Sequence, residues 1–205
     1  MKFHTATLIA ALALCNLPRT AAADSFTLYL GRGSDTDLIK LPGRLLSGKP
    51  RFEDAQFIGL GYQYGLQTPE FLGAAFGLVN IDKPALALEI VAVKHRGLQT
   101  NSELAVAYHL GFGGVALGPL RLKPGISWGL SQAFGTPAYE DGPESDPKRR
   151  YKLQSHLGLE LALTPTAPSP WSVIAKVHHR SGIYGAIAPR RVGSNFLAVG
   201  LRYSY

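Results

Sequence analysis

The stretch WSVIAKVHHRS, residues 171–181, alternates between two kinds of side chain at the two-residue period of a β-strand. The odd positions form an apolar row that ends in a histidine and a serine: Trp171, Val173, Ala175, Val177, His179 and Ser181. The even positions carry the polar residues Ser172, Lys176, His178 and Arg180. A His and a Ser at the end of an apolar row would be unusual in a water-soluble protein. On a membrane barrel they would lie at the lipid boundary.

The last segment of the chain, SNFLAVGLRYSY at residues 194–205, repeats this arrangement. Its odd positions begin with Asn195 and continue as the apolar row Leu197, Val199, Leu201, Tyr203 and Tyr205. If the two segments form a hairpin, the start of one row lies beside the end of the other. The sequence therefore predicts that His179, Ser181 and Asn195 meet at one end of the sheet, on its apolar face.

The same alternation recurs along the chain and defines eight segments: residues 25–31, 55–64, 84–95, 103–113, 120–133, 150–163, 171–181 and 194–205. A soluble sandwich also alternates, but it solvates its polar face. Here the second face is rich in Gly and Ala with few charges, which suits the narrow polar lumen of a small barrel. We therefore predict an all-β fold, an eight-stranded antiparallel transmembrane β-barrel.

The connections between these segments fix the predicted topology. Bacterial single-chain barrels have an even number of strands, short periplasmic turns and longer outer loops. Eight strands place the connections 32–54, 134–149 and 182–193 outside, and the turns 114–119 and 164–170 in the periplasm with the C-terminus. A ninth strand at residues 70–79 would instead place the charged segment 134–149 in the periplasm. Because Thr68 precedes Pro69, a helix-start pattern, we interpret residues 68–79 as a short helix.

The first 23 residues have the pattern of a secretory signal peptide, which leaves residues 24–205 as one barrel domain. Lys2 is followed by a short apolar run and by Ala21-Ala22-Ala23 before Asp24. A lipoprotein signal ending at Cys15 is the alternative, but Leu14 occupies a position where that signal needs a small residue. The mature chain has no cysteine, which excludes disulfides and thiolate metal sites. It also has no run of about 18 apolar residues, so no membrane helix is expected.

The net charge indicates the kind of partner. Cleavage removes Lys2 and Arg19 and no acidic residue, so 19 basic and 14 acidic residues leave a mature charge of +5. An exported protein does not normally meet nucleic acid, so a phosphorylated lipid surface is the more natural partner. Arg190 and Arg191, in the loop 182–193, are candidate phosphate ligands, and a solvated loop is the equally weighted alternative.

His179 and Ser181 suggest nucleophilic chemistry. Residues i and i+2 of a strand point the same way, about 6.5–7 Å apart, which a His ring can bridge. A His base and a Ser nucleophile are the minimal pair for acyl transfer, usually with a third group that orients the base. Alone, this short motif indicates a polar barrel rim more readily than a catalytic site.

The wider pattern, His178-His179-Arg180-Ser181-Gly182 followed by Gly193-Ser194-Asn195-Phe196, resembles the outer-membrane lipid A 3-O-deacylase (PagL-type) family over roughly the last 35 residues. The family is an eight-stranded barrel with a His-x-Ser pair on the penultimate strand and a Glu at the start of the last strand. His179 and Ser181 match the pair. Asn195 stands nearest the Glu position, and an Asn would orient His179 without stabilising the imidazolium as a carboxylate does.

The resemblance implies a serine esterase that hydrolyses the 3-O-linked acyl chain of lipid A (lipopolysaccharide) in the outer membrane. His179 would be the base, Ser181 the nucleophile and Asn195 the orienting group, with no metal or other cofactor. A homodimer is one compatible assembly. Two alternatives stay open: a non-enzymatic structural or adhesive barrel, and a different lipid enzyme such as a transferase or phospholipase.

Other polar residues are weaker candidates. Parity turns His178 and Arg180 into the lumen, and His95 and His109 are interpreted as lumen residues whose spacing carries no metal signature. The outer loop 134–149 contains acidic residues that could bind a cation or supply an acid, although most such loops do neither: Glu140, Asp141, Glu144 and Asp146. The basic run 148–150 reads more readily as a solvated charge run than as a phosphate site.

Overall fold

Alternating side chains along the chain produce eight long β-strands and one short one. The structure, a computed structural model, describes residues 24–140, 151–189 and 192–205. The strands are β1 (Ser25–Ser34), β2 (Phe52–Leu66), β3 (Ala85–Gly97), β4 (Ser102–Gly111), β5 (Val115–Leu117), β6 (Leu120–Phe134), β7 (Leu153–Pro165), β8 (Trp171–Ser181) and β9 (Gly193–Ser204).

The long strands close into a barrel. Each pairs antiparallel with its neighbour in sequence, β4 pairs directly with β6, and β1 pairs with β9 from Ser25↔Ser204 to Ser34↔Asn195. The three-residue β5 pairs only with β6, so it lengthens one turn without adding a strand to the wall. The predicted eight-stranded antiparallel barrel is confirmed, and the sandwich alternative is wrong because one continuous sheet closes on itself.

Several element boundaries differ from the predicted ones. β1 and β2 continue beyond residues 31 and 64, whereas β7 begins at Leu153. The predicted helix at 68–79 is present as α2 (Glu70–Gly77). A helix that the sequence did not predict, α1 (Leu41–Leu46), lies in the β1–β2 connection, where its proline is tolerated in the first turn. Within the described residues, no helix has the length and apolarity needed to cross a membrane. The predicted signal peptide, residues 1–23, lies outside them.

The barrel is apolar outside and polar inside. Leu30 and Val199, on adjacent strands, are 58% and 61% exposed on the outer surface. The lumen holds charged side chains in paired form: Lys176 Nζ lies 2.6 Å from Glu89 Oε1, and Arg202 donates two hydrogen bonds to Glu160. Removing one partner of such a pair would leave an uncompensated buried charge. This distribution is the reverse of a water-soluble fold and is typical of a transmembrane barrel.

The two ends of the barrel differ. We call the end that holds residues 24 and 205 the terminal end, and the opposite end, which holds the β1–β2, β6–β7 and β8–β9 connections, the loop end. Aromatic rings cluster on the outer surface at the terminal end, where Trp171 packs on Tyr203 (4.9 Å between centroids) and Phe26 on Tyr62 (4.8 Å). A ring of aromatic side chains is the usual marker of a membrane–water interface.

The strand parity predicts a labelling pattern. In cysteine variants, a lipid-soluble maleimide should modify positions 104 and 108, because Leu104 and Tyr108 are exposed on the outer face. Position 105 should stay unmodified, because Ala105 is 1% exposed and faces the lumen. The measurement is the labelled fraction by mass spectrometry on refolded protein. Labelling of Ala105→Cys and Gln154→Cys in place of the even positions of β4 would contradict this register.

Candidate functional site

The β8–β9 hairpin positions the candidate site at the loop end. Its register places His179 directly opposite Asn195, and Ser181 opposite Gly193. His179 and Ser181 both lie on the outer face of β8 and are partly exposed. The structure therefore brings His179 and Asn195 together on the outer surface, with Ser181 two residues further along the same strand.

Hydrogen bonds fix the orientation of the His179 ring. Asn195 donates from Nδ2 to the carbonyl oxygen of Thr36 at 2.9 Å, which turns Oδ1 of Asn195 toward His179. His179 Nδ1 lies 2.7 Å from that oxygen. Because an amide oxygen only accepts, Nδ1 carries the proton and donates, so the Nε2 atom carries a lone pair. This is the tautomer that a His base needs.

The Ser181 hydroxyl does not bond to His179 in the structure. Across residues 24–140, 151–189 and 192–205, no hydrogen bond joins the Ser181 hydroxyl to His179. The spacing along the strand is about 6.5–7 Å between their backbones, which leaves the side chains within reach after rotation. Catalytic hydrogen bonds are often long in the absence of substrate and shorten when it binds.

Glycine is required where the hairpin turns back beside Ser181. Gly193 has φ of 146°, and a Cβ atom there would lie 2.2 Å from the Arg180 carbonyl oxygen. No other residue can approach the backbone of β8 so closely in that conformation. The start of β9, and with it Asn195, is thereby held against the end of β8.

The site opens into a cleft of about 980 Å³ beneath the β1–β2 connection. The cleft is lined by His179, Ser181 and Asn195 and, from the loops, by Lys40, Tyr139 and other residues. Burial raises the pKa of the Tyr139 phenol, and its hydrogen bond to the Glu53 carboxylate raises it further, so Tyr139 stays protonated. The cleft wall thus includes a phenol and the Lys40 ammonium group, whose Nζ lies 3.1 Å from Asp37 Oδ2.

Glu140 supports the same hairpin from the lumen. It forms an ion pair with Arg180, which lies between His179 and Ser181, and accepts a hydrogen bond from Ser194 Oγ at 3.0 Å. The sequence suggested that Glu140 could be a loop acid or a cation ligand. It is instead 1% exposed, inside the barrel, because its short 3-10 helix Ala138–Glu140 folds into the lumen.

His178, His95 and His109 are luminal, as predicted. His178 is 1% exposed and donates to Glu103 Oε1 at 2.8 Å, and His95 contacts the other oxygen of the same carboxylate at 2.9 Å. His109 lies 3.0 Å from Ser127 Oγ. The predicted phosphate ligands Arg190 and Arg191, and the loop residues 141–150, fall outside the described residues.

Sequence reasoning did not find the loop residues that complete the cleft. Thr36 orients Asn195 through its backbone carbonyl oxygen. The type of side chain at position 36 therefore gives no indication of this contact in the sequence. Tyr139 and Glu53 meet because the 3-10 helix Ala138–Glu140 folds back against the start of β2.

Comparisons with known proteins identify the fold. No protein-family model matches the chain, and no curated protein matches its sequence. Three solved structures have similar folds. The outer membrane enzyme PagL has a TM-score of 0.52 at 10% identity and covers 87% of this chain and 98% of its own.

The other two are Neisserial surface protein A (NspA) and a domain of Pseudomonas aeruginosa OprF. NspA has a TM-score of 0.50 at 9% identity, covering 89% of this chain and 97% of its own. The N-terminal β-barrel domain of OprF has a TM-score of 0.50 at 12% identity, covering 90% and 98%. At such low identities the likeness concerns the fold alone, an eight-stranded barrel like those of bacterial outer-membrane proteins.

Proposed function

We propose that this chain is an outer-membrane serine esterase that hydrolyses the 3-O-linked acyl chain of lipid A. The observation that carries the proposal is the 2.7 Å contact between His179 Nδ1 and Asn195 Oδ1 on the outer face of the barrel. It leaves Nε2 as a base on the side of the ring away from Asn195. Ser181, the nucleophile, lies two residues along the same row.

The distribution of side chains supports a place in the outer membrane. An apolar outer surface and a polar lumen need a bilayer around them, and the aromatic rings at the terminal end suit its interface. With the terminal end in the periplasm, the loop end faces outward. The site then lies at the outer leaflet, level with the acyl chains and sugar of lipid A.

The reaction follows from the positions of the three groups. His179 Nε2 takes the proton of the Ser181 hydroxyl as Ser181 Oγ attacks the carbonyl carbon of the ester. The tetrahedral intermediate collapses, His179 returns the proton to the departing 3-oxygen of the sugar, and an acyl-enzyme remains. Water, deprotonated by His179, then releases the fatty acid and regenerates Ser181. No metal takes part in these steps.

The remaining roles concern orientation and binding. Asn195 keeps His179 in the reactive tautomer but carries no charge to stabilise the imidazolium. Lys40, beside the cleft, and Arg190 and Arg191 would meet the phosphates of lipid A. A homodimer stays a prediction that the site does not require.

A non-enzymatic barrel is the second candidate. It is favoured by the lack of a hydrogen bond between Ser181 and His179 in the described part of the chain. A similar fold also occurs in NspA, a surface protein, as well as in the enzyme PagL. The two candidates differ in one measurable property, the release of a fatty acid.

The decisive experiment uses lipid A as substrate. Protein refolded in detergent should remove one ester-linked acyl chain, so mass spectrometry should show lipid A lighter by one 3-hydroxy fatty acid. Lipid A from cells that express the protein should show the same loss. Heat-modifiable migration on a gel confirms folding. If folded protein leaves lipid A intact, the non-enzymatic barrel takes the place of the esterase.

A further inference from the structure

Three buried side chains converge in the lumen: Glu103 of β4, His156 of β7 and His178 of β8. One potential ligand atom from each lies within 4.8 Å of the other two. All three residues are at most 2% exposed. Two imidazoles and one carboxylate form a ligand set that binds divalent transition metals in many proteins.

His156 is the feature that points to a ligand. Its side chain is fully buried, yet neither ring nitrogen has a hydrogen-bond partner among the described residues. Buried polar atoms in folded proteins are nearly always bonded, so an imidazole with two unpaired nitrogens needs an explanation. The centroids of the His156 and His178 rings are 4.6 Å apart. A cation bound between the two rings would give one nitrogen of each ring a partner.

The charge balance of the interior favours a cation. In the described part of the chain, the buried carboxylates are Glu89, Glu103, Glu140 and Glu160, and the buried cationic groups are Lys176, Arg180 and Arg202. With the histidines neutral, this leaves one negative charge in excess. Arg180, the nearest of the cations, is held by Glu140 and by the Lys152 carbonyl oxygen. The Nε atom of Arg180 lies 3.7 Å from Glu103 Oε1, beyond hydrogen-bond distance, whereas Glu89 and Glu160 each have a cationic nitrogen within 2.7 Å. Glu103 is therefore the most weakly paired of these three carboxylates.

The Glu103 carboxylate is also held in place as metal-binding carboxylates usually are. Ser131 Oγ donates to Oε1 at 2.7 Å, and His95 Nε2 lies 2.9 Å from Oε2. Gln99 in turn donates to His95 Nδ1 at 3.1 Å, which fixes the His95 proton on the nitrogen that faces Glu103. The carboxylate is thus oriented independently of His156 and His178.

A second luminal cluster differs in how its carboxylates are paired. Glu89, His109 and Glu160 also lie within 4.8 Å of one another. However, Lys176 contacts Glu89 and Arg202 contacts Glu160, so both carboxylates already have cationic partners. This cluster supplies an internal comparison within the same barrel.

We propose that Glu103, His156 and His178 bind one divalent transition-metal ion of the Zn²⁺ class in the lumen. Bonds of about 2.0 Å in a tetrahedral site need ligand atoms about 3.3 Å apart, which small rotations of the two rings provide. His178 Nε2 then binds the metal in place of its hydrogen bond to Glu103, and its proton moves to Nδ1. The ion fastens β4 to β7 and β8 and takes no part in ester hydrolysis.

The test is metal binding by the refolded, tag-free protein. Wild-type protein refolded with Zn²⁺ or Co²⁺ and then desalted should retain one ion per chain by atomic emission. The Co²⁺ form should show visible absorption bands. Zn²⁺ at 100 times its dissociation constant should raise the midpoint of thermal unfolding by about 5 °C or more.

Two variants locate the site. His156→Leu should lose metal retention and the Zn²⁺-dependent rise in unfolding temperature, whereas His109→Gln, in the comparison cluster, should keep both. Heat-modifiable migration shows that each variant is folded, and His156→Asn replaces the leucine variant if that variant fails to fold. The proposal is overturned if wild-type protein retains no ion, or if His156 variants retain as much as wild type. Neither outcome affects the esterase proposal, which is tested on lipid A alone.

Discussion

The variants Ser181→Ala and His179→Ala should each lower ester hydrolysis at least ~10³-fold. Ser181→Ala removes the proposed nucleophile, and His179→Ala removes the proposed base that takes its proton. A nucleophile and its base act as one unit, so the double variant should lose little more than either single variant. The measurement is the initial rate of fatty-acid release from lipid A by refolded protein.

Ser155→Ala is the matched control. Ser155 pairs with Ser181 across β7 and β8, and its hydroxyl accepts a hydrogen bond from Trp128 at 3.2 Å. Ser155 thus lies next to Ser181 on the neighbouring strand. Two residues along its own row on β7 is Leu157, where β8 has His179. Its variant should keep full activity. Undiminished release by folded Ser181→Ala protein would remove Ser181 from the mechanism.

The barrel wall could be predicted from the sequence because it depends on local parity. Alternate residues of a strand face opposite sides, so the apolar rows that include Leu104 and Leu201 directly mark the outer surface. The pairing of β8 with β9 follows from the hairpin, so the contact between His179 and Asn195 could also be predicted from the sequence. These features need only contacts between neighbouring strands.

The lumen could not be predicted in the same way. Glu103, His156 and His178 belong to three strands, and their approach depends on closure of the barrel and on the stagger of its strands. The burial of Glu140 depends on how a long loop folds back into the barrel. Helix α1 was missed because it is short and contains both a proline and a glycine, which normally indicate a turn.

The orientation of the His179 ring depends on a contact of the same non-local kind. Asn195 lies at the predicted place, but its amide is turned by the carbonyl oxygen of Thr36, which belongs to the β1–β2 connection. Without that contact the amide could present its NH₂ group to His179 and select the wrong tautomer. The sequence identified the residue, and the loop decides which of its atoms faces the histidine.

Asn195→Ala should lower the turnover number by about 10²- to 10⁴-fold, because His179 loses the group that holds its proton on Nδ1. The KM for lipid A should change little, since Asn195 acts through His179 and not on the substrate. The measurement is the full rate curve, with heat-modifiable migration as the folding control. Full activity in this variant would exclude Asn195 as the orienting group and direct the search to a carboxylate of the cleft, such as Glu53.

Asn195→Glu should raise the turnover number above that of wild type. A carboxylate accepts the Nδ1 proton as the amide does, and its charge also stabilises the imidazolium that forms when Ser181 is deprotonated. The change has a cost, because a carboxylate cannot donate to the Thr36 carbonyl oxygen and places a second acceptor against it. The longer side chain of Glu must therefore turn its carboxylate away from the Thr36 carbonyl oxygen. The rise in turnover number depends on whether the side chain can make that turn. Asn195→Asp, which keeps the length of Asn and so keeps the two oxygens facing each other, should gain less. If Glu and Asp both fall to the level of the Ala variant, the hydrogen bond to Thr36 contributes more to the position of His179 than the charge does.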